Sequence, residues 1–126
     1  MTTLRLVALV SRLDPWAPPL ALMALIFFFS HQPDLSSGLG VWDTIGRKIF
    51  HAAEYALLCF LWWRAFAGMT TRPAALAAAA AVSLAYAISD EFHQTFIQGR
   101  HGTPVDVVID SVGIAGACVW VRRREQ

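Results

Sequence analysis

Ionisable side chains are concentrated in one stretch of this chain, from Ser89 to Asp110. The stretch holds four carboxylates, two histidines and an arginine, although only 15% of the 126 residues are charged and 56% are hydrophobic. Imidazole and carboxylate groups can transfer protons, and guanidinium groups bind phosphate. The concentration therefore predicts either a reactive site or a structural network of ion pairs.

Helical spacing sorts the candidate residues into stripes on three predicted helices. Lys48, His51 and Tyr55 stand at positions i, i+3 and i+7, so they share one helical face, and Glu54 lies at its edge. On the second helix, Asp90, His93 and Gln94 stand at positions i, i+3 and i+4 and share a stripe, with Ser89 beside them, whereas Glu91 points about a quarter-turn away. The third helix carries Asp106, Asp110 and Gly113 on one face. Gly113 is small enough to admit a neighbouring helix just below the two carboxylates.

Apolar runs predict the helices that must position these stripes. The mean hydropathy of +0.50 favours a membrane protein over a soluble one. Four runs approach the roughly 20 residues that a helix needs to cross a bilayer core. They cover residues 15–31, 47–63, 74–94 and 105–121. We therefore expect an all-α fold in which residues 1–126 form a single domain, a compact bundle of four transmembrane helices.

Proline and glycine positions place the connections of this bundle. Residues 32–45 are rich in glycine, proline and serine and are expected to form a loop. Pro104 is well placed to open the last helix, because a proline in the first turn loses no helical hydrogen bond.

The distribution of charge orients the predicted spans. Seven basic residues lie on the side of the two termini and three lie on the other side. Because cytoplasmic segments of membrane proteins carry an excess of lysine and arginine, this count predicts that both termini are in the cytoplasm. All three polar stripes then meet at the outer face. A charged group in hydrocarbon costs at least about 2.5–3.5 kcal/mol, so the stripes should face one another. Trp62, Trp63 and Trp120 are expected to anchor the cytoplasmic ends of their helices at the membrane interface.

Two histidines are the candidate proton carriers of this outer layer. His51 and His93 each have carboxylates nearby, and a carboxylate can fix the tautomer of an imidazole and support general acid–base catalysis. Glu91, Asp106 and Asp110 would orient the histidines or hold an ion. The same nitrogen and oxygen ligands would suit zinc or another divalent metal ion, but the HExxH spacing is absent, so we predict no definite cofactor.

Cationic groups at the outer edge suit an anionic ligand. Arg100 could hold a phosphate as a bidentate fork and Lys48 as a point charge, with Tyr55 and Gln94 completing the binding surface. The alternative is that the cations only neutralise nearby carboxylates. The net charge of +1 gives no bulk attraction to nucleic acid.

Three motifs resemble those of a known family. They read Lys48-x-x-His51-x-x-Glu54-Tyr55-x-x-Leu58, then Ser89-Asp90-Glu91-x-His93-Gln94-x-Phe96-x-x-Gly99-Arg100, then Asp106-x-x-x-Asp110-x-x-Gly113. In this order, and over about residues 20–120, the chain resembles the VanZ-like family of small membrane proteins. The resemblance implies a bacterial-type cytoplasmic membrane and a cell-envelope setting, with a link to low-level teicoplanin resistance through the protein that names the family. It also implies that the polar motifs process lipid head groups or lipid-linked envelope precursors.

We therefore expect a membrane protein that processes or binds the head group of an amphipathic or lipid-linked envelope precursor at the outer leaflet. A catalytic version would be a hydrolase or transferase acting on a phosphate or ester linkage. One alternative is a non-catalytic scaffold or lipid-binding protein whose motifs form a salt-bridge network. A small transporter is disfavoured because the inner halves of the predicted spans lack polar groups. The sequence sets no oligomeric state.

Overall fold

The computed structural model describes residues 2–5, 14–31, 40–96 and 104–124, and all regular secondary structure within them is helical. The four long helices are α1 (Ala17–His31), α2 (Val41–Phe66), α3 (Arg72–Gln94) and α4 (Pro104–Arg124). Residues 3–5 are also helical. The predicted all-α fold is confirmed, and Pro104 opens α4 as expected.

The start of α2 differs most from the prediction. Residues 32–45 were expected to form a loop, but α2 begins at Val41, so the last five of them are helical. Gly40 precedes the helix with a φ of 61°, a left-handed conformation that glycine adopts without steric cost. Asp43 in the first turn favours helix formation through the helix dipole. The helix therefore extends beyond its apolar run, which hydropathy alone does not detect. Residues 32–39 lie outside the described part of the chain.

The helices differ in their suitability as membrane spans. Among the described residues, α3 and α4 are long and apolar enough to cross a membrane by length and composition. The apolar part of α1, Ala17–Phe29, is shorter. Helix α2 is longer than either candidate but carries His51, Glu54 and Arg64. Composition thus supports two of the four predicted spans.

The centre of the bundle consists of α2, α3 and α4, and α2 packs most extensively against α4. Helix α1 packs against α2 and α3. The buried face of α3 is formed largely by small residues at intervals of four, namely Ala75, Ala79, Ser83 and Ala87. Small side chains allow helices to approach closely in lipid.

Large apolar side chains cover much of the surface of the bundle. The exposed ones include Phe28 on α1, Phe50 on α2, Ile88 on α3 and Val112 on α4. Buried polar residues are Ser83, Asp90, Gln94 and Asp110. Exposed apolar surface on every helix, together with polar groups turned inward, is typical of helices surrounded by lipid.

Consecutive helices alternate in direction, so the bundle has two ends. At one end the ring of Phe27 on α1 lies 4.8 Å from that of His93 on α3, and Phe29 lies 6.5 Å from Phe50 on α2, as distances between ring centroids. This end, formed by the last turns of α1 and α3 and the first turns of α2 and α4, is called the polar end below. It carries all three predicted stripes.

The opposite end, called the aromatic end, is held by ring packing. The ring centroid of Trp16, which directly precedes α1, lies 6.0 Å from that of Trp62 and 5.6 Å from that of Phe66 on α2. The rings of Trp62 and Phe66 stack on each other with their centroids 5.4 Å apart. Trp62 was expected at the membrane interface, but it is only 8% exposed because α1 covers it. Trp120 is 48% exposed and lies 5.0 Å below the guanidinium of Arg124.

Candidate functional site

The close approach of α2 and α4 places their polar residues side by side. Gly113 is buried against the backbone of α2, where an added Cβ would clash with the carbonyl oxygen of Ala52 and lie 2.8 Å from its carbonyl carbon. The prediction that Gly113 admits a neighbouring helix is confirmed, and that neighbour is α2. Asp110, one turn nearer the polar end, consequently faces His51.

His51 lies between two carboxylates. Its Nδ1 atom is 3.8 Å from Oε2 of Glu54 on the same helix and 3.8 Å from Oδ1 of Asp110 on α4. The side chain of His51 is 23% exposed, whereas those of Glu54 and Asp110 are 10% and 4% exposed. An imidazole that gained a proton here would be stabilised by two largely buried carboxylates. The arrangement can therefore support transfer of a proton at His51.

Tyr55 joins α2 to α3 within the same layer. Its hydroxyl donates a hydrogen bond of 3.3 Å to Oδ2 of Asp90, and both residues are buried. We predicted that Tyr55 would contact a substrate. The structure places it at full burial, where it fixes the position of Asp90.

Lys48 joins α2 to α4 at the rim of the polar end. Its Nζ atom lies 3.6 Å from Oδ1 of Asp106, and the two side chains are 39% and 31% exposed. The pair shows that at least one cation lies beside a carboxylate, as expected if the basic residues neutralise nearby acidic ones. The exposure also leaves Lys48 accessible to an anionic group.

The remaining predicted residues of α3 point in different directions. Gln94 is buried beside Asp90 on the inward face, as their spacing predicted. Ser89 is exposed. His93 packs against Phe27 of α1, so the two predicted proton carriers lie in different surroundings.

Tyr86 was missed by the sequence reasoning. Its hydroxyl donates a short hydrogen bond of 2.6 Å to the backbone carbonyl of Met23 and thereby attaches α1 to α3. Its ring centroid is 6.4 Å from that of Tyr55. Because Tyr86 precedes Asp90 by four residues, continuing the inward stripe by one turn would have identified it.

Carboxylates dominate the electrostatics of the polar end. Asp110 interacts with four others, Glu54, Asp90, Glu91 and Asp106. Arg100, which was predicted to bind an anionic group, lies outside the described residues. Among the residues that are described, no group of three or more histidine, cysteine, aspartate or glutamate side chains is arranged to hold a metal ion.

The sequence was also compared with protein families, curated proteins and solved structures. The family model of VanZ/LLP1 matches residues 16–122. The chain belongs to the VanZ/LLP1 family. The resemblance drawn from the three motifs is thus confirmed, and the matched range covers α1, α2, α3 and all but the last two residues of α4 in this VanZ/LLP1 protein. No curated protein and no solved structure matches the chain.

Proposed function

We propose that this VanZ/LLP1 protein crosses a bacterial-type cytoplasmic membrane four times, with both termini in the cytoplasm and the polar end at the outer leaflet. There it would process the head group of an amphipathic or lipid-linked envelope precursor. Support for the four spans comes from exposed apolar side chains on all four helices. The excess of basic residues at the aromatic end supports the orientation.

The position of His51 is the observation that carries the proposed chemistry. Its partly exposed imidazole lies 3.8 Å from carboxylates of two helices, at the end where exposed Lys48 could hold an anionic group. A titratable group beside buried carboxylates suits general acid–base catalysis, which typically contributes about 100- to 10,000-fold to a rate.

In the proposed reaction, water or an acceptor alcohol attacks the phosphorus or carbonyl carbon of the head-group linkage. His51 takes the proton of the attacking hydroxyl while Glu54 and Asp110 stabilise the imidazolium. Lys48 and Arg100 bind the anionic part of the head group. The bond to the leaving group breaks, and that group receives a proton from a second acid, for which Glu91 and His93 are the candidates.

A non-catalytic function is the second candidate, and specific contacts favour it. The Tyr55–Asp90 hydrogen bond and the Lys48–Asp106 ion pair connect α2 to α3 and to α4, as a structural network would. In that case the protein would act by binding a lipid or a partner, and its function would depend on the fold and not on proton transfer at His51.

The two candidates can be separated in a strain that lacks this gene and is complemented with variants. We would compare membrane lipids and lipid-linked precursor pools in strains carrying the unchanged protein, His51→Gln or Gly116→Ala. The control Gly116 lies on α4 away from the polar end, where an added Cβ would meet no neighbouring residue within 4 Å. If the enzyme proposal is right, His51→Gln accumulates the same precursor as the deletion while the protein level and thermal stability stay unchanged.

Normal lipid and precursor pools with His51→Gln would contradict the enzyme proposal and favour the scaffold. The scaffold would also be favoured if lipid and precursor pools changed only in variants whose protein level is reduced. Teicoplanin susceptibility measured in the same strains tests the proposed link to resistance independently of the lipid analysis.

A further inference from the structure

A groove between α3 and α4 runs along the side of the bundle. Its volume of about 490 Å³ is within the usual range for sites that bind small molecules. Ala80, Ala81 and Leu84 form its wall on α3, and the wall on α4 extends from Ser111 to Arg122. Within the described structure no residue of α1 or α2 lines the groove, and α1 makes no contact with α4. The groove therefore opens on the surface that the proposed membrane spans turn toward lipid.

The wall of the groove is apolar from Ser111 to the last turn of α4. The hydroxyl of Ser111 donates a hydrogen bond of 2.7 Å to the backbone carbonyl of Val107, so its own helix satisfies it. Leu84 and Val119 are exposed along the two walls, whereas Ile114 is buried. A ligand in the groove therefore has to be apolar along most of its length.

The length of the groove matches the thickness of one leaflet. Arg122 follows Ser111 by 11 positions, which corresponds to about 16 Å along the axis of α4. The hydrocarbon core of a bilayer is about 30 Å thick, so one leaflet contributes about 15 Å. An acyl chain that entered from the aromatic end would therefore lie in the groove over the full depth of its leaflet.

Arg122 places a positive charge where the head group of such a chain would lie. Its side chain is exposed, lines the groove at the aromatic end, and forms no ion pair within the described structure. Guanidinium groups bind phosphate through two parallel N–H donors. Arg123 and Arg124 follow it, so the local field attracts anionic lipids. An apolar groove with an arginine at its end thus suits a lipid with an anionic head group.

A second copy of the chain fits the groove less well, because it would have to bring a negative charge to Arg122. Among the described acidic residues only Asp14 lies at the aromatic end. Its Oδ1 already accepts hydrogen bonds from the backbone N–H groups of Trp16 and Ala17. The other described acidic residues lie toward the polar end, so a copy with the same orientation in the membrane could not reach Arg122 with them.

We propose that the groove between α3 and α4 binds an anionic phospholipid of the leaflet at the aromatic end. One acyl chain lies between Leu84 and Val119, and the phosphate accepts hydrogen bonds from the guanidinium of Arg122. The inference goes beyond the proposed function, because it requires only that the bundle spans a membrane and uses no residue of the polar-end chemistry. Since α4 packs less extensively on α3 than on α2, the bound chain is expected to stabilise the contact between α3 and α4.

The test uses the full chain, purified in a mild detergent and loaded with lipids that carry the same type of acyl chain. The probes are phosphatidylglycerol, which is anionic, phosphatidylcholine, which is zwitterionic, and lysophosphatidylglycerol, which has one chain. Native mass spectrometry measures the lipid retained in competition, at about 0.5 M salt to screen exposed charges. We expect phosphatidylglycerol to be retained about tenfold over phosphatidylcholine, as one strong charged hydrogen bond allows. Lysophosphatidylglycerol should be retained nearly as well, because the groove takes one chain.

Two pairs of variants locate the site. Arg122→Gln should lower the preference for phosphatidylglycerol to about twofold or less. Arg123→Gln removes the same charge from a residue outside the groove and should keep most of the preference. Ala81→Leu puts a larger side chain into the groove and should reduce retention of all three lipids, whereas Ala85→Leu, at an exposed position of α3 outside the groove, should not. Thermal unfolding of each variant shows whether the fold is retained, and Arg122→Gln provides the test if Ala81→Leu does not fold.

Equal retention of phosphatidylglycerol and phosphatidylcholine by the unchanged protein would overturn the proposal. Equal losses with Arg122→Gln and Arg123→Gln would also overturn it, because the whole basic segment would then attract anionic lipid without a defined site. A dimer that Ala81→Leu converts to a monomer would favour a second copy of the chain in the groove and overturn the lipid. The proposed function fails separately, by unchanged lipid and precursor pools with His51→Gln, a variant that should keep the preference for phosphatidylglycerol.

Discussion

The polar end and the aromatic end of the bundle are held together by different physics. At the polar end, helices are connected by contacts between polar groups at 3.3–3.8 Å, and those groups include carboxylates that repel one another. At the aromatic end, Trp16, Trp62 and Phe66 pack as rings within 6.0 Å. Lipid tails are as apolar as these side chains, so burying an apolar side chain between helices gives little hydrophobic driving force. The stability of both ends therefore depends on close packing between the helices. The comparison suggests that stability and function can be separated by mutation.

Gly113→Ala should have the largest effect, because it forces α4 away from α2 at the base of the polar end. The added methyl group meets backbone atoms of Ala52, which cannot move aside as a side chain can. We expect a loss of about 3 kcal/mol in the free energy of unfolding, the upper part of the usual range for overpacking. Denaturation in mixed micelles with increasing sodium dodecyl sulfate would measure it.

Gly116→Ala on the same helix is the matched control for this prediction. No atom lies within 4 Å of the position of its added Cβ, so the substitution should be neutral or slightly stabilising through higher helix propensity. Similar destabilisation by the two substitutions would mean that contact with Ala52 does not decide the packing.

Trp62→Ala should weaken the ring packing at the aromatic end and leave the polar end unchanged. Removing a buried ring costs about 3–5 kcal/mol in an aqueous core, but we expect about 2 kcal/mol here because the separated helices remain in lipid. Precursor pools should stay normal at temperatures where the variant is folded. Trp120→Ala, at a residue that is 48% exposed, should cost less. A folded Trp62→Ala protein with the pools of the deletion strain would show that the two ends are not separable.

Tyr55→Phe tests one polar contact without changing the ring. Loss of the hydrogen bond to the buried carboxylate of Asp90 should cost about 1.5 kcal/mol, the lower part of the range for bonds to charged groups. Tyr86→Phe is the parallel change and should cost about 1 kcal/mol, because its acceptor is the uncharged carbonyl of Met23. Thermal unfolding in detergent compares the two. A larger effect at Tyr86 would mean that attachment of α1 matters more than the polar layer.

Lys48→Gln should have the smallest effect on stability. The Lys48–Asp106 pair is more than 30% exposed at both side chains, and such pairs typically contribute about 0.2–1 kcal/mol. Binding of an anionic head group should weaken nonetheless, and Arg64→Gln at the other end of α2 is the control. A stability loss as large as that of Tyr55→Phe would identify the pair as structural.

Helical spacing along the sequence was enough to find the inward faces at the polar end. Asp90 and Gln94 lie four residues apart and are both buried, and Gly113 contacts a neighbouring helix as expected. Spacing could not identify the partner of each residue. That His51 faces Asp110 while His93 faces Phe27 depends on how the helices are rotated relative to one another, which one stripe does not encode.

Trp62 illustrates the same limit at the aromatic end. Tryptophan near the end of a span commonly lies at the membrane interface, so position and residue type gave the same prediction for Trp62 and Trp120. Only Trp62 faces α1, and the ring of Trp16 covers it. Burial was decided by a contact between distant parts of the chain, which neither composition nor periodicity contains.

The contact between Gly113 and Ala52 also determines which movements the bundle can make. A shift of α4 by one turn along its axis, about 5.4 Å, would bring a residue that has a Cβ, such as Ala117, to the carbonyl that now rests on Gly113. Helices α2 and α4 are thus expected to move as one rigid frame. Helix α1 contacts α2 and α3 but not α4 within the described structure, and the hydroxyl of Tyr86 holds it at Met23. Any opening wide enough to admit a bulky molecule from the bilayer is therefore expected to begin with a displacement of α1.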